Sequence, residues 1–206
     1  CLYCGPHFSS LWDAENKQHG RFQRGDLVIS NAFEKSPNIE SNKQKLFDWV
    51  RTHGHELTVF NILGGEPLFQ KDLEDYLGLF KQHPAPHLKL QIFTNLNTPL
   101  KHLVSVVTKV KELVDTNHIR EFEITASLDC WGPEQEYVRY PLDLRVWEEN
   151  FNYLLTQSWI NLIINSTITP LTIRTLPTLL SKIKSWNERR PVYHYQNSVN
   201  SPSYMF

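Results

Sequence analysis

The sequence predicts an α/β fold of parallel strands joined by crossover helices, as a barrel or as an open sheet. Three observations point there. Short apolar runs bounded by turn residues alternate along the chain with segments whose apolar residues recur at helical spacing. The connections between them span only a few residues, the pattern of repeated strand–helix units. At 206 residues, 40% hydrophobic and 12% aromatic, the chain can bury the core that one domain needs.

The elements follow in order. Residues 5–42 are polar, lack a clear period and read as a long loop with short helical pieces. Residues 41–52 form the first full helix. Residues 56–63 (ELTVFNIL) are an apolar run between Gly54 and Gly64-Gly65, which predicts a buried strand. Over 68–82, Leu68, Leu73, Tyr76, Leu77 and Phe80 share helical spacing, and His83-Pro84 ends that helix. Residues 88–94 (LKLQIFT) alternate as a strand. Pro99 suits a first helical turn and opens a helix over 100–115. Strand 121–127, helix 144–157, strand 160–168 and helix 175–189 come next, and Pro191 precedes a last strand over 192–197. No repeat or linker divides the chain, so residues 1–206 read as one domain. The chain starts on a cysteine and its only Met is Met205, so a fragment is expected, incomplete in front and behind.

Composition excludes several classes. Lys plus Arg is 21 against 22 for Asp plus Glu, a net charge of −1, which offers no bulk attraction for nucleic acid or membrane. No apolar run approaches the ~20 residues of a membrane span, and no signal peptide opens the chain. Three cysteines are too few for a disulfide framework, which predicts a reducing, cytoplasmic setting.

Two motifs could carry chemistry. Cys1-Leu2-Tyr3-Cys4 is a C-x-x-C pair, open to a redox dithiol, half of a structural zinc site or two packed cysteines. Gly64-Gly65-Glu66-Pro67 follows a buried strand. Its glycines permit positive φ and close ligand approach, and a carboxylate at the C-terminal end of a strand lies where α/β folds bind ligands. Glu66 only accepts hydrogen bonds, so an amine or ammonium is its natural partner. A plain strand-to-helix turn is the alternative.

Taken together at this separation, the two motifs resemble the radical S-adenosylmethionine (radical SAM) superfamily, whose hallmark is C-x3-C-x-aromatic-C. Cys1 and Cys4 match its second and third cysteines and Tyr3 its aromatic; the first would fall four positions before Cys1. The resemblance covers nearly the whole chain. It implies a partial (β/α)6 TIM-like barrel with parallel strands, its first strand missing here. It also implies a [4Fe–4S] cluster on Cys1 and Cys4 and the upstream cysteine, with no catalytic residue beyond the cofactor site. Carried over by position, Gly64, Gly65, Glu66 and Pro67 hold the methionine amino group. Ser127 and Asp129 lie near the ribose, Arg139 near the carboxylate, and Asn95 and Asn165 line the same mouth. The implied reaction is one-electron cleavage of S-adenosylmethionine to a 5′-deoxyadenosyl radical that abstracts hydrogen. A reductant such as flavodoxin or ferredoxin would serve it.

Departures from the family pattern narrow the subgroup. Leu96 follows Thr94-Asn95, and Cys130-Trp131 follow Ser127-Leu128-Asp129, where the family often has glycine. The run 130–140 (CWGPEQEYVRY) and the loop around 8–12 look like members with SPASM or twitch extensions, many of which modify peptides; a peptide substrate is therefore implied. Trp12, Trp131, Tyr137 and Tyr140 are candidates to line its pocket. Cys130 reads as a small packed residue. Two rivals stand beside this: a thiol–disulfide oxidoreductase using Cys1 and Cys4, and a non-catalytic barrel that has lost the cluster.

Overall fold

A computed structural model describes residues 10–20, 23–24, 27–28 and 37–198. Helix α1 (Ser10–His19) and a small antiparallel pair, β1 (Gln23–Arg24) with β2 (Leu27–Val28), lie in the stretch expected as a loop. Helix α2 (Ile39–His53) precedes strand β3 (Val59–Ile62). Then come helix α3 (Asp72–Gln82), strand β4 (Ala85–Thr94), helix α4 (Leu100–Asp115) and strand β5 (Ile119–Ser127). A short helix α5 (Pro133–Val138), helix α6 (Leu144–Leu155), strand β6 (Ile160–Ile168), helix α7 (Leu176–Arg189) and strand β7 (Tyr193–Ser198) complete the described chain.

Strands β3 to β7 form one five-stranded sheet in chain order, every neighbouring pair parallel. Alternation within the strands explains how it is covered. Leu88, Leu90 and Ile92 of β4, Phe122, Ile124 and Ala126 of β5, and Ile160, Leu162 and Ile164 of β6 join one buried core. The same core takes Leu73, Leu77 and Phe80 of α3, Val106 and Val110 of α4, Trp147 and Phe151 of α6, and Ile183 of α7. The helices that connect sequential strands, α3, α4, α6 and α7, thus pack on that face, as right-handed crossovers between neighbouring parallel strands require. Residues of opposite parity point to the other face, which mixes the polar Lys89, Gln91, Glu123, Thr125 and Asn165 with Phe93 and Ile163.

Element boundaries shift where local chemistry competes with the pattern. The strand expected over 56–63 shrinks to four residues because a 3-10 turn, Gly54–Glu56, occupies its start. The helix expected over 68–82 divides into a 3-10 turn, Pro67–Phe69, and α3, since Gln70 is extended. Strand β4 begins three residues early, at Ala85, whose N–H bonds to the carbonyl of His118. The run 130–140, where the sequence predicts no regular element, contains α5, which Gly132 and Pro133 initiate.

Candidate functional site at the strand ends

The C-terminal ends of β3 to β6 carry the candidate residues. After β3, Gly64 and Gly65 adopt φ of 92° and 52°, a double left-handed bend that side chains resist. It turns the chain so that Glu66 caps the Pro67–Phe69 turn, its Oε1 accepting from the N–H of Leu68 at 3.2 Å. Pro67 is buried at the first position of that turn. The Glu66 carboxylate also reaches β4. Thr94 Oγ1 donates to Oε1 at 2.5 Å and the Asn95 N–H donates to Oε2 at 2.7 Å. The Asn95 side chain serves its own loop, accepting from the N–H of Asn97 at 2.8 Å.

Burial pushes the Glu66 carboxyl above its ordinary range, while the donors on Thr94, Asn95 and Leu68 pull it back. Three donors occupy three of the roughly four acceptor positions of a carboxylate. Oε2, with the Asn95 bond alone, is the oxygen that can take an ammonium. That free acceptor position suits an ammonium or another N–H donor.

A second cluster stands at the end of β5. Asp129 is fully buried, and Arg139, just past α5, grips it through Nε at 2.6 Å and Nη2 at 2.8 Å. The Thr167 N–H of β6 donates to Asp129 Oδ1 at 2.7 Å. The resemblance sends Asp129 to a ribose and Arg139 to a carboxylate as separate contacts; here they form one bidentate clasp. Ser127 sits beside Asn165 in the β5–β6 register, and Asn165 Oδ1 accepts from Asn197 Nδ2 of β7 at 2.8 Å. From β3 to β6 these groups spread over three strand spacings, about 14 Å.

Cys1, Tyr3 and Cys4, the expected cluster ligands and their aromatic neighbour, lie outside the described residues. Among the described residues no three His, Cys, Asp or Glu side chains gather as a metal site. Cys130 is buried, and burial pushes its thiol up to about 11. Among the aromatic candidates, Trp131 stacks edge-on against Trp147 and Trp186, with Lys182 Nζ 4.3 Å above its ring. It also borders a cavity of about 370 Å³ with Glu136, Leu144 and Arg145. Tyr137 and Tyr140 are exposed and do not line that cavity. Trp12 is half-buried on α1.

Sequence reasoning missed three residues that shape these clusters. Thr94 ends β4 as a hydroxyl in an otherwise apolar row, a signal that was present. Asn150 interrupts the Trp147–Phe151–Leu154 stripe of α6, and its Nδ2 donates to the carbonyls of Leu96 and Thr98 at 2.8 and 2.7 Å. It thereby holds the loop that carries Asn95, where Leu96 has φ 52°. Gln135, fully buried on α5, left no signal because α5 itself was not expected.

No protein-family model matches the chain, and no curated protein matches it significantly. Among the described residues no helix is long and apolar enough to cross a membrane.

Proposed function

We propose that the chain is the core of a radical SAM enzyme, a partial (β/α)6 barrel whose strand ends bind S-adenosylmethionine. One observation carries it. Glu66 sits behind a double left-handed glycine bend at the end of a parallel strand, half-buried and braced by the next strand, with an acceptor position suited to an ammonium. The packing of the connecting helices α3, α4, α6 and α7 into one core on one face of the sheet supports the barrel, because a doubly wound sheet carries helices on both faces.

When bound, S-adenosylmethionine and a [4Fe–4S] cluster supply a 5′-deoxyadenosyl radical for hydrogen abstraction. The residues of this chain bind and orient. Glu66 takes the methionine ammonium. The Asp129–Arg139 clasp sets polar groups for the carboxylate and ribose, and Ser127, Asn95 and Asn165 line the mouth. Cys1 and Cys4 hold the cluster. A flavodoxin- or ferredoxin-type reductant and a peptide substrate belong to the same proposal, as does a cytoplasmic location.

The test is anaerobic reconstitution of the whole protein with iron and sulfide, then reduction with dithionite in the presence of S-adenosylmethionine. A brown protein that releases 5′-deoxyadenosine is the expected result. A colourless protein that exchanges thiols with disulfides sends the function to the Cys1–Cys4 dithiol instead.

A further inference from the structure

We infer that Gln135 is a positioning residue, one that fixes the Asp129–Arg139 clasp for S-adenosylmethionine without touching the ligand; this rests on the radical SAM reading above. The need for it starts at the end of β5. Past Ser127 the chain leaves the sheet, so the N–H groups of Asp129 and Cys130 lose ladder partners while buried. Gln135 supplies the acceptor: its Oε1 takes the Asp129 N–H at 2.9 Å and the Cys130 N–H at 3.1 Å.

Gln135 and Arg139 stand one helical turn apart, joined by the bond from the Arg139 N–H to the Gln135 carbonyl at 3.1 Å. Helix α5 therefore grips Asp129 twice. Gln135 fixes its main chain and Arg139 its carboxylate. Gly132, with φ 131°, and Pro133 set where α5 begins and hence where both grips fall. A Cβ on Gly132 would meet Glu134 Oε2 at 3.0 Å.

The amide orientation follows from its partners, since only an oxygen can face two N–H donors. That leaves Gln135 Nε2 buried with no partner among the described residues. A glutamate would satisfy both N–H groups without stranding a donor. It would also set a second carboxylate beside Asp129, competing for the Arg139 guanidinium. A neutral acceptor is what keeps Arg139 on Asp129, and the stranded amide is the cost of that neutrality.

The experiment measures S-adenosylmethionine affinity by calorimetry on the reconstituted whole protein, with iron per chain determined on each sample. Gln135→Leu is expected to bind about tenfold or more weakly, at unchanged iron content. Combined with Arg139→Lys, it should add no more than about twofold to the loss from Arg139→Lys alone, because the two residues act through one clasp. Losses that simply multiply would mean a structural effect separate from Arg139, and would overturn the inference. If Gln135→Leu does not fold, Gln135→Glu decides: it keeps both backbone bonds and should still weaken binding, and affinity within about twofold of the parent would sink the inference. Parent protein that binds no S-adenosylmethionine fails the radical SAM reading itself. Parent binding with an unaffected Gln135→Leu variant fails this inference alone.

Discussion

Glu66 accepts from Thr94, Asn95 and Leu68 at once, so its removal strands three donors as well as a ligand contact. Glu66→Ala is expected to weaken S-adenosylmethionine binding and to lower stability by about 1–3 kcal/mol while leaving the chain folded. Calorimetric titration and urea unfolding measure the two effects separately; unchanged affinity would refute the ammonium role. Its pH dependence has a definite sign. Burial raises the Glu66 carboxyl, so on acidification it takes up a proton at higher pH than an ordinary glutamate, and the protonated form cannot pair with an ammonium. Affinity should therefore fall on acidification, beginning at higher pH than an ordinary glutamate would set. Folding runs the other way. The folded state holds that proton more tightly than the unfolded chain, so Glu66 itself does not drive acid unfolding.

At the scale of elements, the joint between α6 and β6 depends on one side chain. The Arg190 guanidinium, just beyond α7, donates to the carbonyls of Leu154, Gln157 and Ile160. The Leu154 and Gln157 carbonyls already accept the N–H groups of Gln157 and Ile160, so the guanidinium takes their second lone pairs at the end of a helix and the start of a strand, where a cation also meets the negative end of the helix dipole. Burial pulls the Arg190 basicity down, yet it stays charged. Arg190→Ala should cost about 2–4 kcal/mol, and Arg190→Lys should recover little, since an ammonium lacks the planar fork that spans three carbonyls. Urea unfolding of both variants checks this; full recovery by lysine would show that charge alone suffices.

Across the whole molecule, a directional chain of hydrogen bonds ties the last strand to the candidate site. Ser166 Oγ donates to the Leu128 carbonyl at 2.5 Å, so His194 Nε2–H donates to Ser166 at 2.8 Å and Nδ1 faces Gln196 Nε2. That arrangement needs a neutral imidazole, and burial pushes the His194 basicity down. As pH falls below the ordinary imidazole value of 6.5, the unfolded chain takes up the proton first. Stability therefore drops with acidification through that range until the folded imidazole also protonates. His194→Gln should flatten this slope in thermal melts recorded from about pH 8 to about pH 5. An unchanged slope would place the titration elsewhere.

Alternation in residues 88–94, the apolar run within 160–168 and the proline that opens the helix over 100–115 are local signals, so the strand–helix order and a parallel sheet are legible in the chain alone. Gly64-Gly65-Glu66 was legible for the same reason: two consecutive glycines before an acid state a backbone need that no distant contact supplies. Other features exist only once strands are adjacent. Thr94 meets Glu66 across 28 residues, Thr167 meets Asp129 across 38, and Asn150 reaches back 54 to the Leu96 carbonyl. Helix α5 escaped notice because a six-residue helix holds too little periodicity to read, and its two grips on Asp129 depend on where the end of β5 delivers that residue. Propensity and alternation act between near neighbours in the chain. Hydrogen-bond pairing of buried polar groups acts between neighbours in space, and only the folded sheet chooses those.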